Sequence, residues 1–120
     1  MDRRNGVGAW GEEQAAKYLK KQGYRVLERN YSCRFGEIDL IARRGGILAF
    51  VEVKLRRDDA HGEAREFVTA RKQQRILAAA ELWLSQHETP LQPRFDVIEV
   101  YAPAGADGTV QIRHIENAFM

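Results

Sequence analysis

The chain has 120 residues, of which 44% are hydrophobic and 30% are charged, and its formal net charge is +2 at pH 7. These proportions predict one soluble globular domain over residues 1–120 and exclude a disordered chain or two separate cores. The longest apolar run, Ile47 to Val51, is too short to cross a bilayer, and no apolar segment follows Met1 to Gly6, so we expect no membrane association and no signal peptide. Cys33 is the only cysteine, which excludes an intramolecular disulfide and favours a reducing cytoplasm. The three histidines lack zinc-ligand spacing.

The first predicted element is a helix from Ala9 to about Gln22, which follows a flexible arm over residues 1–8 and closes at Gly23. Its inward face has the i, i+3, i+4, i+7 spacing and consists of Glu12, Ala15, Ala16 and Leu19. Glu12 therefore points toward the core together with small apolar residues. Either Glu12 caps a site from this helix, or it is a first-turn acid that the helix dipole favours.

A strand is predicted next from Tyr24 to Tyr31, and Asn30 to Phe35 is predicted to be a loop. A hairpin follows, with strands Gly36 to Ala42 and Ile47 to Lys54 joined by a turn over Arg43 to Gly46.

This hairpin carries charged residues where core strands should be apolar. Glu52 interrupts a run of branched and aromatic residues that is typical of a strand buried on both faces. Because side chains alternate along a strand, Glu52 and Lys54 point to the same side, and folding the hairpin brings Asp39 toward them. Buried charges need partners or a metal, and perturbed ionisable groups cluster at functional sites. The pattern therefore favours a site over the alternative, a structural ion pair.

Residues 55–66 lack periodicity and are predicted to form a mobile surface loop beside the site. The longest predicted helix runs from Phe67 to His87, with an inner face of Val68, Ile76, Ala79, Ala80 and Trp83. Lys72 lies on this inner face, and Arg75 lies at its edge. They either reach the site or a phosphate, or they extend along the helix into solvent, and the second is slightly favoured.

Two further strands, Arg94 to Tyr101 and Val110 to Ile115, complete the chain, and the last is predicted to lie at a sheet edge. Asp96 is expected to be a salt-bridge partner. The order is helix, three strands, helix, two strands, which predicts an α/β domain with a mixed five-stranded sheet. The hairpin supplies antiparallel pairs, and the helical crossover supplies parallel pairing.

Basic residues are expected to surround an acidic pocket. If Glu12, Glu37, Asp39 and Glu52 gather in one place, the remaining surface is distinctly basic. The residues predicted to hold nucleic-acid phosphates are Arg43, Arg44, Arg56, Arg57, Lys72 and Arg75. The alternative is an ordinary solvated surface of mixed charge.

Asp39 followed by Glu52-Val53-Lys54 resembles the D…(D/E)xK signature of the restriction-endonuclease-like, or PD-(D/E)xK, superfamily, with Ile38 in the place of the proline. A longer string resembles the YraN-like family of small bacterial proteins, from Asn5 to about Val100. That string comprises Gly11-Glu12, Asn30-Tyr31, Gly36 to Ile41, Phe50 to Lys54, and Arg56. The family is similar in turn to archaeal Holliday-junction resolvases.

The resemblance implies a restriction-endonuclease-like three-layer fold and a nuclease that uses Mg²⁺ or Mn²⁺ to hydrolyse phosphodiester bonds in DNA. A preference for branched or otherwise structured DNA follows by analogy only. Asp39 and Glu52 would be the principal metal ligands, joined by the Val53 carbonyl and by Glu12. Lys54 would orient the attacking water or stabilise the developing oxyanion.

Two other functions stay open from the sequence. One is a nucleic-acid-binding protein with the same fold and little or no turnover; the other is a scaffold whose charges form a structural ion-pair network. Retention of both carboxylates and the lysine argues against the scaffold. It does not distinguish the nuclease from the nucleic-acid-binding protein. A nuclease that cuts both strands of a symmetric junction would need a homodimer, for which the last strand is a candidate edge.

Overall fold

The computed structural model describes residues 6–56, 68–102 and 108–119, which form two helices and a five-stranded sheet. In chain order the elements are α1 (Gly6–Lys21), β1 (Arg25–Cys33), β2 (Gly36–Arg44), β3 (Ile47–Arg56), α2 (Ala70–Gln86), β4 (Gln92–Tyr101) and β5 (Gln111–Ile115). This order and the mixed sheet confirm the predicted α/β architecture.

The strands lie side by side in chain order. β1 and β2, β2 and β3, and β4 and β5 pair antiparallel, whereas β3 and β4 pair parallel. The parallel pair is the one that α2 connects, because two parallel neighbours cannot be joined by a tight turn. β5 lies at an edge of the sheet, as predicted.

The helices cover opposite faces of this sheet. Along β3, Leu48 and Phe50 belong to the core cluster that contains α2, whereas Ala49 and Val51 belong to the cluster that contains α1. Successive side chains of a strand point to opposite faces, so a strand between two helical layers must be apolar on both. β3 is therefore the central strand of a three-layer domain, which explains its nearly continuous apolar sequence.

Helix α2 begins at Ala70, not at Phe67, after Thr69, whose hydroxyl accepts a hydrogen bond from the Lys72 N–H at 3.1 Å. Its buried residues are Ile76, Ala79, Ala80 and Trp83, and these were predicted to form the inner face. Within the described ranges, no helix has the combination of length and apolarity that spanning a bilayer requires.

Helix α1 begins earlier than predicted. Residues 6–8 are helical and do not belong to an arm, while residues 1–5 lie outside the described part of the chain. Gly23 ends the helical region, as predicted, with φ of 90°, a backbone conformation that glycine adopts without a Cβ penalty.

Strands β1 to β4 are each longer than the sequence indicates, and the extensions of β1 and β3 overlap predicted loops. β1 extends to Cys33, so the predicted loop from Asn30 to Phe35 is wrong over most of its length. The partner strand is the reason, because β2 pairs with β1 as far as Cys33 and supplies hydrogen bonds to a polar segment without strand periodicity. β3 extends to Arg56, so the predicted loop over residues 55–66 is wrong at its first two residues, and residues 57–66 lie outside the described part of the chain.

Candidate active site

The main-chain ladder between β2 and β3 ends at the pair Leu40–Val51. Beyond it, the Val53 N–H donates to Asp39 Oδ2 at 2.8 Å, so a side chain continues the hydrogen bonding where the strands separate. Asp39 is buried there, with 4% of its surface exposed. An aspartate, which strands otherwise disfavour, is accommodated because its carboxylate satisfies a main-chain donor of the neighbouring strand.

The side chains of β2 do not alternate strictly along the whole strand. Ile38 packs in the α2-side cluster together with Ile41, whereas strict alternation would place it with Leu40 and Ala42. Strict alternation is lost because this end of β2 has no ladder partner on β3.

Glu52, Lys54 and Lys72 meet beside Asp39. Lys54 Nζ lies 3.7 Å from Glu52 Oε2, and Lys72 Nζ lies 2.5 Å from the same oxygen. The structure therefore brings Asp39, Glu52 and Lys54 together, as the hairpin geometry predicts. The slight preference for Lys72 extending into solvent was wrong, because Lys72 stands one turn before buried Ile76 and so shares its inward face. We call these four residues the acid–lysine cluster.

The charges of this cluster are unevenly compensated. Burial of Glu52 and the nearby charge of Asp39 raise the pKa of Glu52, and the two lysines offset this only in part. Burial, followed by repulsion from Lys72, lowers the pKa of Lys54. Burial also disfavours the ammonium of Lys72, but its hydrogen bond to Glu52 outweighs that effect and raises the pKa of Lys72. Groups perturbed by burial and by specific charged neighbours are typical of functional sites.

The donor chemistry of the cluster suits a hard divalent cation. Among the described residues, no group of three or more His, Cys, Asp or Glu side chains is placed to hold a metal ion. Mg²⁺, however, is commonly held by one or two carboxylates and several waters. Asp39 and Glu52 supply two carboxylates, and the Val53 carbonyl lies on the same edge of β3 as the Val53 N–H. These oxygen donors fit Mg²⁺ or Mn²⁺ better than zinc.

Glu12 approaches the same end of β3 from the other layer. It is buried, with 5% of its surface exposed, on α1. A Cβ placed on neighbouring Gly11 would lie 3.6 Å from the Cβ of Leu55, so this part of α1 packs on the end of β3. The proposed part of Glu12 in metal binding stays a prediction.

A further buried acid, Glu99, was missed in the sequence. Glu99 on β4 is in register with Lys54, is fully buried, and forms ion pairs with Arg56 Nε at 3.0 Å and Arg113 Nη1 at 3.6 Å. The sequence pattern could have identified Glu99, because it interrupts an apolar strand in the same way as Glu52 does. Arg56, predicted to hold phosphates, is thus largely committed to an internal ion pair, with 12% of its side chain exposed.

The predicted basic residues at the hairpin turn lie at the opposite end from the cluster. Arg43 and Arg44 pair with Leu48 and Ile47, at the start of β3. Arg44 stacks over the ring of Tyr24, 4.5 Å from its centroid, and donates to the main-chain oxygen of Gln22 at 2.9 Å. Arg44 therefore connects the end of α1 to the sheet and does not lie near the acid–lysine cluster.

Arg57, the remaining residue of the Arg56-Arg57 pair, lies outside the described residues.

Arg75 and Lys72 line a groove of about 410 Å³ between the β1–β2 turn and the start of α2. We call it the basic groove, and its lining residues are Ser32, Cys33, Gly36, Glu37, Thr69, Arg71, Lys72, Arg75 and Ile76. Glu37 accepts a hydrogen bond from Ser32 Oγ at 3.3 Å at the rim. Because Lys72 lines the groove and contacts Glu52, the groove adjoins the acid–lysine cluster through this lysine.

The predicted ion-pair role of Asp96 is confirmed on the other face of the sheet. Arg94 donates from Nε and Nη2 to the two Asp96 oxygens at 2.9 and 2.8 Å, and His114 Nε2 lies 2.8 Å from Oδ2. The Asn117 N–H donates to Oδ1 at 3.1 Å. Burial alone would raise the pKa of Asp96, but these contacts outweigh it and lower the pKa. We call these four residues the Asp96 network.

The fold and the cluster define a class of protein: a small three-layer α/β domain with two carboxylates and two lysines gathered where its central strands part. Residues 11–100 match the model of a family described as Uncharacterised protein family UPF0102, and the chain belongs to this family. This confirms the YraN-like family that the motifs indicate.

Similar proteins occur in distant bacteria. A UPF0102 protein of Symbiobacterium thermophilum is 49% identical over 120 residues, covering 99% of this chain and 98% of its own. UPF0102 proteins of Trichlorobacter lovleyi and Pelobacter propionicus are also 49% identical, covering 94% and 98% of this chain and 89% and 84% of theirs. The resemblance thus extends over nearly the whole length of each protein.

Proposed function

We propose that this protein is a nuclease that uses Mg²⁺ or Mn²⁺ to hydrolyse phosphodiester bonds in DNA. The observation that carries the proposal is the acid–lysine cluster, in which Asp39, Glu52 and Lys54 lie together at the end of the central hairpin. The raised pKa of Glu52 and the lowered pKa of Lys54 support the proposal, because groups shifted by burial and by specific charged neighbours cluster at functional sites.

Asp39, Glu52 and the Val53 carbonyl would hold the metal, with Glu12 as a further candidate. The bound ion would supply an activated water and neutralise charge on the phosphate. In the overall reaction the water oxygen bonds to phosphorus, one ester P–O bond breaks, and the departing sugar oxygen takes up a proton. Lys54 stabilises the negative charge that develops on the phosphate oxygens, and Lys72 holds the Glu52 carboxylate in place.

The resemblance to Holliday-junction resolvases supports branched or otherwise structured DNA as the substrate, cut by a homodimer in the cytoplasm. β5, at a sheet edge, is the surface that we propose for pairing of two copies.

One contact favours a second function, a nucleic-acid-binding protein with little or no turnover. The Lys72 ammonium lies 2.5 Å from Glu52 and already compensates part of the charge that a metal would neutralise. In such a protein the basic groove would bind nucleic acid while the cluster stays without a metal.

A cleavage panel tests the proposal. Purified protein is incubated with linear, nicked, flap and four-way DNA and with RNA, each with Mg²⁺, Mn²⁺ or EDTA. We expect metal-dependent cleavage of a DNA substrate, loss of cleavage in Asp39→Ala, and normal cleavage in the surface variant Glu13→Ala. Circular dichroism and thermal melting establish that the variants are folded.

If no substrate is cut with either metal while gel shifts respond to salt, the second function replaces the first. If Asp39→Ala cuts as fast as the unmodified protein, the acid–lysine cluster is not the active site.

A further inference from the structure

An exposed aromatic residue lies in the turn that borders the basic groove. The β1–β2 turn is Arg34-Phe35, and the residues on either side of it, Cys33 and Gly36, both line the groove. Phe35 is 39% exposed, and within the described residues Leu27 is the other large hydrophobic side chain that is exposed to this degree. A single exposed ring is common on protein surfaces, but a ring in the turn beside a cationic groove has the position of a stacking platform for a ligand with an apolar face.

The ring of Phe35 is held in place by its neighbour. The Arg34 guanidinium carbon lies 4.8 Å from the ring centroid, a cation–π arrangement that restricts the ring without burying it. The turn is also fixed against α2, because a Cβ placed on Gly36 would lie 3.2 Å from the Cβ of Arg75. The turn that carries Phe35 and the part of α2 that carries Arg75 are therefore in direct contact.

The charge of the groove suits phosphates. Arg71 and Arg75 are exposed on α2, and in the part of the chain that the structure describes neither forms an ion pair. Glu37 is the acid in the lining, and it is hydrogen-bonded to Ser32. At about 410 Å³ the groove has the size of pockets that hold a small-molecule ligand, which is enough for one nucleotide.

We propose that the basic groove binds a single-stranded segment of nucleic acid. Phe35 stacks on an unpaired base, Arg71 and Arg75 bind backbone phosphates, and the strand passes Lys72 to reach the acid–lysine cluster. An aromatic platform beside a cationic track is the combination by which proteins bind single strands. The inference rests on the proposed function in taking DNA as the ligand, and it specifies the substrate class as DNA with an unpaired segment beside the cut site.

Binding without metal tests this inference separately from catalysis. Fluorescence anisotropy in EDTA compares three labelled DNAs: a blunt duplex, the same duplex with a single-stranded overhang, and the single strand. We expect the unmodified protein to prefer the two DNAs that contain unpaired bases. Phe35→Ala should weaken their binding by about 5- to 100-fold and leave the blunt duplex unaffected, because stacking on a base is lost.

Two variants serve as matched controls. Phe35→Trp keeps an aromatic platform and should retain the preference, and Leu27→Ala removes exposed apolar surface elsewhere on β1 and should change nothing. Arg71→Ala and Arg75→Ala should each reduce the slope of log affinity against log salt for the single strand by about 0.7.

Equal binding of the three DNAs, or a Phe35→Ala variant that binds like Leu27→Ala, overturns the inference whatever the cleavage panel shows. Absence of any DNA binding also overturns it and favours a protein ligand for Phe35. A Phe35-dependent preference in a protein that never cuts supports the inference and contradicts only the nuclease proposal.

Discussion

Two buried carboxylates on adjacent strands, Glu52 and Asp96, differ in their electrostatics. They are 7% and 0% exposed, and burial pushes the pKa of each upward. For Asp96, the two hydrogen bonds from Arg94, the His114 ring and the Asn117 N–H reverse that effect and lower the pKa. For Glu52, the charge of Asp39 adds to the upward shift of the pKa that burial causes, and the two lysines do not reverse this shift.

The difference lies in the donors that each acid meets. The Arg94 guanidinium is a planar fork that matches both Asp96 oxygens, and the Asn117 N–H is fixed by the backbone. Glu52 meets ammonium groups at the ends of flexible chains, and both are directed at the one oxygen Oε2. The rigid, complete hydrogen bonding of Asp96 stabilises the fold, whereas the incomplete compensation of Glu52 is consistent with the proposed metal site.

The largest expected effect is on stability. Asp96→Ala should lower the free energy of unfolding by about 3–5 kcal/mol, because it leaves the Arg94 charge buried without its carboxylate. Glu52→Gln should cost less than about 1 kcal/mol, since it also removes repulsion from Asp39. Urea denaturation measures both values. Equal losses in the two variants would show that the two regions do not differ as described.

The next effect is on catalysis. Lys54→Ala should reduce metal-dependent cleavage by about 10²- to 10³-fold, because charge stabilisation of the reacting phosphate is lost. Single-turnover cleavage of the best substrate measures the rate, with the exposed Lys17→Ala on α1 as a matched lysine control. If Lys54→Ala cleaves at the rate of the unmodified protein, Lys54 has a structural role only and does not take part in catalysis.

A smaller effect concerns acid stability. Because the pKa of Asp96 is lower in the folded protein than its ordinary value of about 3.9, its stabilisation is complete above that pH. The stabilisation is lost as the pH falls through the folded-state pKa. The difference in unfolding free energy between the unmodified protein and Asp96→Asn should therefore shrink between about pH 5 and pH 2. A difference that grows toward acid would mean that the pKa of Asp96 is raised.

The smallest effect isolates one interaction within the acid–lysine cluster. Asp39→Asn keeps an acceptor for the Val53 N–H but removes the like charge, so the pKa of Glu52 should fall. Carboxyl ¹³C NMR titration of the metal-free protein measures that pKa. An unchanged value would show that burial alone accounts for the raised pKa of Glu52.

The features predicted correctly are those that local rules encode. A tight turn and strict alternation place Glu52 and Lys54 on one side of β3 and bring Asp39 to the same end of the hairpin, and nothing distant is needed for that. The helix periods and the doubly apolar β3 likewise identify the element order and a layered α/β domain, whereas the three layers were an expectation from the family resemblance.

Contacts between elements far apart in the chain were decided by tertiary structure. The extension of β1 to Cys33 depends on pairing with β2, and the burial of Arg56 depends on Glu99 of β4. Lys72 reaches Glu52 only because α2 packs against β2, next to the end of β3 that carries Glu52.

By itself the sequence determined the order of elements, the central strand and the meeting of Asp39, Glu52 and Lys54, because turns and side-chain alternation act over a few residues. Only the tertiary structure decided which distant cations join those acids and where a groove opens beside them. Those outcomes depend on how a helix docks against a sheet, and helix docking is set by the packing of the whole core.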